Sequence, residues 1–198
     1  MKRYINHLMK GAEIRTESFL RSQDKNPESI QYGGMHGDVV EAKTTIYHMA
    51  TALSVYFKEE SRFYQSEVLY DAINMACGFV RRMQRENGSF DYPTCNFQSA
   101  ADTSYCFKRL ILGYRLIDKY GNGDEKAETL KKKYLVIMHD ALKAVRDGGF
   151  HTPNHRWGIT AALLQGADLF AEETDFADSL RKRAAQYLAE GVDEDEDG

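Results

Sequence analysis

Two short stretches constrain this chain more than any other feature. Gly88-Ser-Phe-Asp-Tyr-Pro93 and Gly148-Gly-Phe-His-Thr-Pro153 share glycine, phenylalanine and proline in matching order, at an offset of 60 residues. A basic residue, Arg85 or Arg146, stands just upstream of each. The interval holds two helices, so the repeating unit is a helical hairpin plus an extended connection. A lone hairpin cannot bury both of its faces, so such units must stack on their neighbours.

Apolar residues recur at helical spacing in seven stretches, and no stretch shows a sustained strict alternation. Helices are expected over about residues 2–23, 40–57, 63–84, 100–119, 125–145, 155–170 and 175–189. Ser99-x-x-Asp102 is a capping-box pattern for the fourth. Asn122 or Asp124 can accept from the first N–H groups of the fifth. The expected fold is all-α, with antiparallel helical hairpins forming part of an (α/α) toroid and few strands. With only three prolines, long helices go uninterrupted.

The loops repeat in order as well. A glycine-rich connection, Tyr32-Gly-Gly-Met-His-Gly-Asp38, precedes the second helix and again follows an odd-numbered one. All three long connections then run in the same direction and share one rim, with the short turns at the other. Long loops gathered at one end are where sites are built. The acidic stretch Glu190-Gly-Val-Asp-Glu-Asp-Glu-Asp-Gly198 reads as the start of another such loop. Residues 1–198 are thus expected to be one helical domain, the N-terminal part of a longer protein and about half of a ring. An incomplete ring exposes an apolar edge, so self-association is expected.

Charge and cysteine usage narrow the partners. The net charge is −4, and Lys131-Lys132-Lys133 reads as a solvated face, so nucleic acid is not expected. Cys77, Cys95 and Cys106 are odd in number and have no metal-ligand spacing, which fits reduced thiols. The N-terminal residues lack an apolar signal core, and no apolar run of about 18 residues exists, so a cytoplasmic protein without a membrane span is expected. Asp193-x-Asp195-x-Asp197-Gly198 matches half a calcium loop but lacks the closing glutamate. Neither metal nor cofactor is expected.

Candidate chemistry falls in three places. The first is His151-Thr-Pro-Asn154-His155-Arg156-Trp157, at the start of the sixth helix, where N–H groups and the helix dipole favour an anion. Asn154 can donate to a carboxylate, Arg156 can pair with it, Trp157 can stack on a sugar ring, and His155 can exchange a proton near neutral pH. The competing view makes Asn154 an N-cap and Trp157 a core residue, with His151 solvated. The second place is Asp91-Tyr92-Pro-Thr-Cys-Asn96. Asp91 offers an acid or base, Tyr92 or Tyr105 a proton donor or wall, and Asn96 a sugar contact. Alternatively Phe90 plugs the core, Asp91 caps a turn and Ser99 caps the fourth helix. The third place is the first long loop, with His36 and Asp38, and Glu41 and Lys43 just beyond. His7, His48 and His139 lie within helices and are expected to pack or to face solvent.

With the Gly-x-Phe loops and Pro153-Asn-His-Arg-Trp157 in view, the chain resembles the α/α-toroid domains of heparinase II/III-like and alginate-lyase-like polysaccharide lyases. The resemblance covers most of the chain as helix pairs and loops, and its specific part is Asn154-His155 with Trp157 downstream. It implies a uronate-containing oligosaccharide or polysaccharide cleaved by β-elimination. Asn154 would neutralise the carboxylate and His155 would act as base. The tyrosine that completes the relay in those families has no assigned position here, and their C-terminal β-sandwich has no counterpart in this sequence. Two rivals stand beside it. A toroidal glycoside hydrolase would use paired carboxylates, Asp91 with Asp102 or Asp38. A helical-repeat module would bind peptide or sugar without turnover.

Overall fold

Helical spacing becomes seven helices: α1 (Lys2–Ser22), α2 (Ala42–Tyr56), α3 (Glu67–Met83), α4 (Ala100–Tyr120), α5 (Glu125–Asp147), α6 (Pro153–Leu169) and α7 (Thr174–Glu190). The computed structural model describes residues 2–149 and 152–191, and these are the helices among them. Phe150, His151 and the acidic string from Asp193 to Gly198 lie outside the described residues.

Polar side chains set several of the starts. Ser66 accepts from the Leu69 N–H, Ser99 from Asp102 and Asp124 from Lys126, each satisfying a donor that has no partner within its helix. Two starts differ from expectation. Helix α3 begins at Glu67 rather than near Phe63, because Ser61 takes the Phe63 N–H in a local turn and Gln65 sits at φ 48°. That left-handed residue breaks any helix running through it. Helix α6 begins at Pro153 with Thr152 as its N-cap, so Asn154 is not the cap. Proline suits the first helical position, since its φ is preset and its missing N–H would have had no helical partner.

The helices form two layers. Helix α4 packs between α2 and α6, and α5 between α3 and α7, while each even-numbered helix packs on the odd-numbered one that follows it. Helix α1 covers the other side of α2. The register between repeats is visible in side-chain bridges. Glu67–Lys126, Asn74–Lys133 and Arg81–Asp140 cross from α3 to α5, each linking residues 59 apart. Lys43–Asp102 crosses from α2 to α4 with the same separation of 59. A constant separation requires parallel axes, and rungs spaced two turns apart keep one stripe of α3 facing one stripe of α5. Leu53, Ile73, Leu110, Tyr134, Leu142 and Leu163 fill the space between the layers, and all are buried.

The long connections 23–41 and 84–99 share one rim with the end of α5 and the start of α6, as the repeat predicts. Gln23 donates to the carbonyls of Gly33 (2.9 Å) and Ala72 (2.8 Å), fastening the first loop to α3. The middle loop folds into β1 (Phe90–Tyr92) and β2 (Asn96–Ser99), antiparallel, with Phe90 opposite Ser99 and Tyr92 opposite Asn96. The sequence match between the second and third loops does not extend to conformation. Gly88 has φ +89°, whereas Gly148 caps α5 in extended geometry (φ −84°) and is needed because a Cβ there would lie 2.5 Å from that of Ala100.

Candidate functional site

Because α2, α4 and α6 are parallel, all three begin on the long-loop rim and bring their N–H ends together there. Lys43, Asp102 and His155 stand in the first turns of the three helices. Together they mark the loop-end face of this layer.

Asp102 organises the middle of this face. Its carboxylate is buried and accepts from the Ser99 hydroxyl (2.8 Å), Lys43 Nζ (3.3 Å) and Asn96 Nδ2 (3.4 Å). The Ser99 oxygen in turn accepts the Asp102 N–H at 3.1 Å, so the capping box and the ion pair are one network. The Lys43 ammonium also lies 4.2 Å from the centre of the Tyr92 ring. Burial pulls Lys43 down, but the charge of Asp102 and its hydrogen bond outweigh that, so its pKa is raised and it stays an ammonium. Farther along, the Arg109 guanidinium lies 4.6 Å from the Tyr47 ring centre. Tyr105 stands edge-on to His155 at 6.1 Å between ring centres and carries Lys108 at 5.2 Å. Gly158 makes room for Tyr105, since a Cβ there would meet its ring at 3.3 Å.

The structure brings Tyr105 and His155 together, and Tyr92, Asn96 and Asp102 together, but it treats other candidates differently. Asp91 belongs to the hairpin. One carboxylate oxygen accepts from Arg85 Nε (2.9 Å) and Nη2, and the other accepts the Gln98 N–H (2.8 Å). The groove it lines, about 470 Å³ between the first loop and the hairpin, is bordered by Ile30, Arg82 and Phe97 and by neither Asn154 nor His155. Arg156 is tied to Glu190 (3.3 Å) and to the Gly191 carbonyl, which fastens α6 to the end of α7. Asn154 is exposed and accepts from the Thr152 hydroxyl. Trp157 is 52% exposed, which overturns its placement in the core. His36 and Asp38 are exposed on the first loop. Phe90 is buried and Ser99 caps α4, as the structural alternative for this stretch had it. Of the helical histidines, His48 stacks on Phe19 at 6.3 Å and His139 lies between Phe170 and Phe176, bonded to Glu173 (3.2 Å).

The Arg85–Asp91 tie makes a pH prediction. Burial pushes the Asp91 carboxyl up, but Arg85 and the Gln98 N–H outweigh it and hold the group below the usual 3.8. A depressed carboxyl stabilises the fold above its unfolded pKa and loses that contribution as pH falls through the folded value. Arg85 is half exposed, so solvent screens the pair and the contribution is small. Urea unfolding along the acid limb should therefore show a shallower fall in Asp91→Asn than in the parent. An unchanged slope would remove the tie from the stability of the hairpin.

Cys77 and Cys106 are buried thiols, each pushed up to about 12 by desolvation, and neither is poised as a nucleophile. Among the described residues no group of three or more His, Cys, Asp or Glu is placed to hold a metal ion, and no helix is long and apolar enough to cross a membrane. Compared with protein families, with curated proteins and with solved structures, the chain matches none. The site residues that sequence reasoning underweighted are Lys43, Asp102, Tyr47 and Arg109. The repeat register was the available signal for the first two, since Lys43 and Asp102 stand in neighbouring helices of one layer, 59 residues apart.

Proposed function

We propose that the stacked hairpins are an arc of an α/α toroid and that the rim at the start of α6 handles uronate-containing glycans by β-elimination. The observation that carries this reading is the pairing of His155 with Tyr105, which gives the base a phenol partner from the neighbouring inner helix. The proton α to a uronate carboxylate is weakly acidic, so its removal needs a positioned base and donors aimed at the enediolate. His155 takes that proton. The Tyr105 hydroxyl gives one to the departing glycosidic oxygen. The Asn154 amide, on the first turn of α6, and the helix N-terminus stabilise the charge that builds on the carboxylate. Trp157, open to solvent beside them, offers a stacking surface for a sugar ring.

The paired-carboxylate alternative has less support. Asp91 is held ionised by Arg85, unlike the raised-pKa acid that hydrolysis needs, and the Asp102 carboxylate is already taken up by Lys43, Ser99 and Asn96. The test is turnover of a panel of uronate oligosaccharides, read as the new ultraviolet absorbance of an unsaturated uronate. His155→Ala and Tyr105→Phe should each slow the reaction by about 100-fold or more, and Asp91→Asn should not. Loss confined to Asp91→Asn, with no unsaturated product, would replace elimination by hydrolysis. Ligand retention without any product would make the domain a binding module.

A further inference from the structure

At the far end of the same face, between α1 and the start of α2, lies a separate cavity of about 410 Å³. Arg15, Glu41, Lys43, Tyr47, His48 and Tyr92 line it. The positive groups around it are in different states. Lys43 is bonded to Asp102 and lies over Tyr92, and Arg109 lies over the Tyr47 ring. The Arg15 guanidinium, by contrast, has neither a hydrogen bond nor an ion pair with any described residue. Among the described residues Glu41 is the only carboxylate on the wall; it accepts from the Thr44 hydroxyl at 2.6 Å and does not cap α2. The first N–H groups of α2, which starts one residue past Glu41, therefore lack a cap from that side chain.

An exposed, unpaired guanidinium beside two tyrosine rings and a helix N-terminus is the chemistry that recognises a carboxylate on a ring. We propose that this cavity is an anion subsite that takes a carboxylate-bearing pyranose, with Arg15 supplying the charge-assisted hydrogen bonds and Tyr47 and Tyr92 the walls. This rests on the saccharide reading above and extends it. Helix α4 separates the two places, so they lie about two helix spacings apart, roughly 16–20 Å. Arg15 would then engage an acidic residue several units along the same chain, and the preferred glycan would carry acid groups repeatedly.

The subsite can be tested without turnover. His48 sits in the wall, where burial first and the Arg15 charge second hold its imidazole below 6.5, partly opposed by a hydrogen bond to the Arg15 backbone. Glu41, Lys43, Tyr47 and Tyr92 are the other titratable groups on the cavity wall. A carboxylate seated on Arg15 would offset the repulsion and raise the His48 pKa. NMR titration of the protein with glucuronate should show that rise, and glucose should not. Arg15→Gln changes an exposed side chain and should leave the fold intact. It should weaken glucuronate binding, read from the ligand-induced shifts of Tyr47 and Tyr92, by about tenfold, the loss of one charge-assisted contact. Equal shifts with glucose, no shift with glucuronate, or undiminished binding by Arg15→Gln would each overturn the subsite. Arg15-dependent binding with turnover unaffected by His155→Ala would keep the subsite and remove the lyase reading.

Discussion

Gly88→Ala is expected to destabilise the protein by about 3–4 kcal/mol, a large share of the roughly 5–15 kcal/mol that holds an ordinary domain folded. Two effects add. Gly88 has φ +89°, where an L residue is strained by about 1 kcal/mol. The new Cβ would also fall 2.0 Å from the Asp140 carbonyl oxygen and 2.5 Å from its carbon. Both are backbone atoms in α5, so no side chain can rotate away, and either the hairpin or the helix must shift at about 2–3 kcal/mol. Gly123→Ala is the control. It shares the positive φ, at +79°, but nothing lies within 4 Å of its would-be Cβ, so about 1 kcal/mol is expected. Urea unfolding of the two variants separates strain from collision. Equal losses would mean that the loop does not press on α5 as described.

Phe90→Ala should be of similar size, about 3–5 kcal/mol, because it empties a fully buried site. Phe90 anchors β1 from below while its N–H donates to Thr103 Oγ1 at 2.8 Å, so the strand is pinned through side chain and backbone together. For a chain of this length the loss corresponds to a fall in melting temperature of about 10 °C by calorimetry. Phe90→Leu, which keeps most of the volume, should lose less than about 1.5 kcal/mol. The consequence reaches the site, because β1 carries Tyr92 and its partner strand begins with Asn96, which helps hold Asp102. A Phe90→Ala protein as stable as Phe90→Leu would show that the hairpin is held from above, by Arg85 and Asp91, rather than by its plug.

Much of the helical layout was legible because its causes are local. Apolar residues at helical spacing, Ser99 three residues before Asp102, and Asp124 before Lys126 act within a turn of one another, and the helices fall within a few residues of where they were expected. Where a boundary moved, the decisive feature was also local but lay in backbone conformation. Gln65 adopts a left-handed φ that no residue type announces, and Pro153 took the first helical position and displaced Asn154 from the cap.

The site was less legible, because proximity across helices depends on register. Nothing in Asp91 alone says that Arg85 and the Gln98 N–H will claim both of its oxygens. Arg156 looked like a free anion binder beside Asn154, yet it is spent on the end of α7. Tyr105 was one candidate among several until α4 and α6 packed side by side and set it against His155.

The amino-acid order by itself determined the helices, the hairpin unit, the common rim of long connections and the presence of an Asn-His-Arg-Trp string at one helix start, since these follow from spacing and short-range hydrogen bonding. Tertiary packing decided which charged groups are consumed by one another, that Trp157 faces solvent, and that Lys43 meets Asp102 while Arg15 keeps an unpaired guanidinium. Such pairings arise between residues far apart in sequence. Their energies depend on distance and burial, which exist only once the layers have closed on each other.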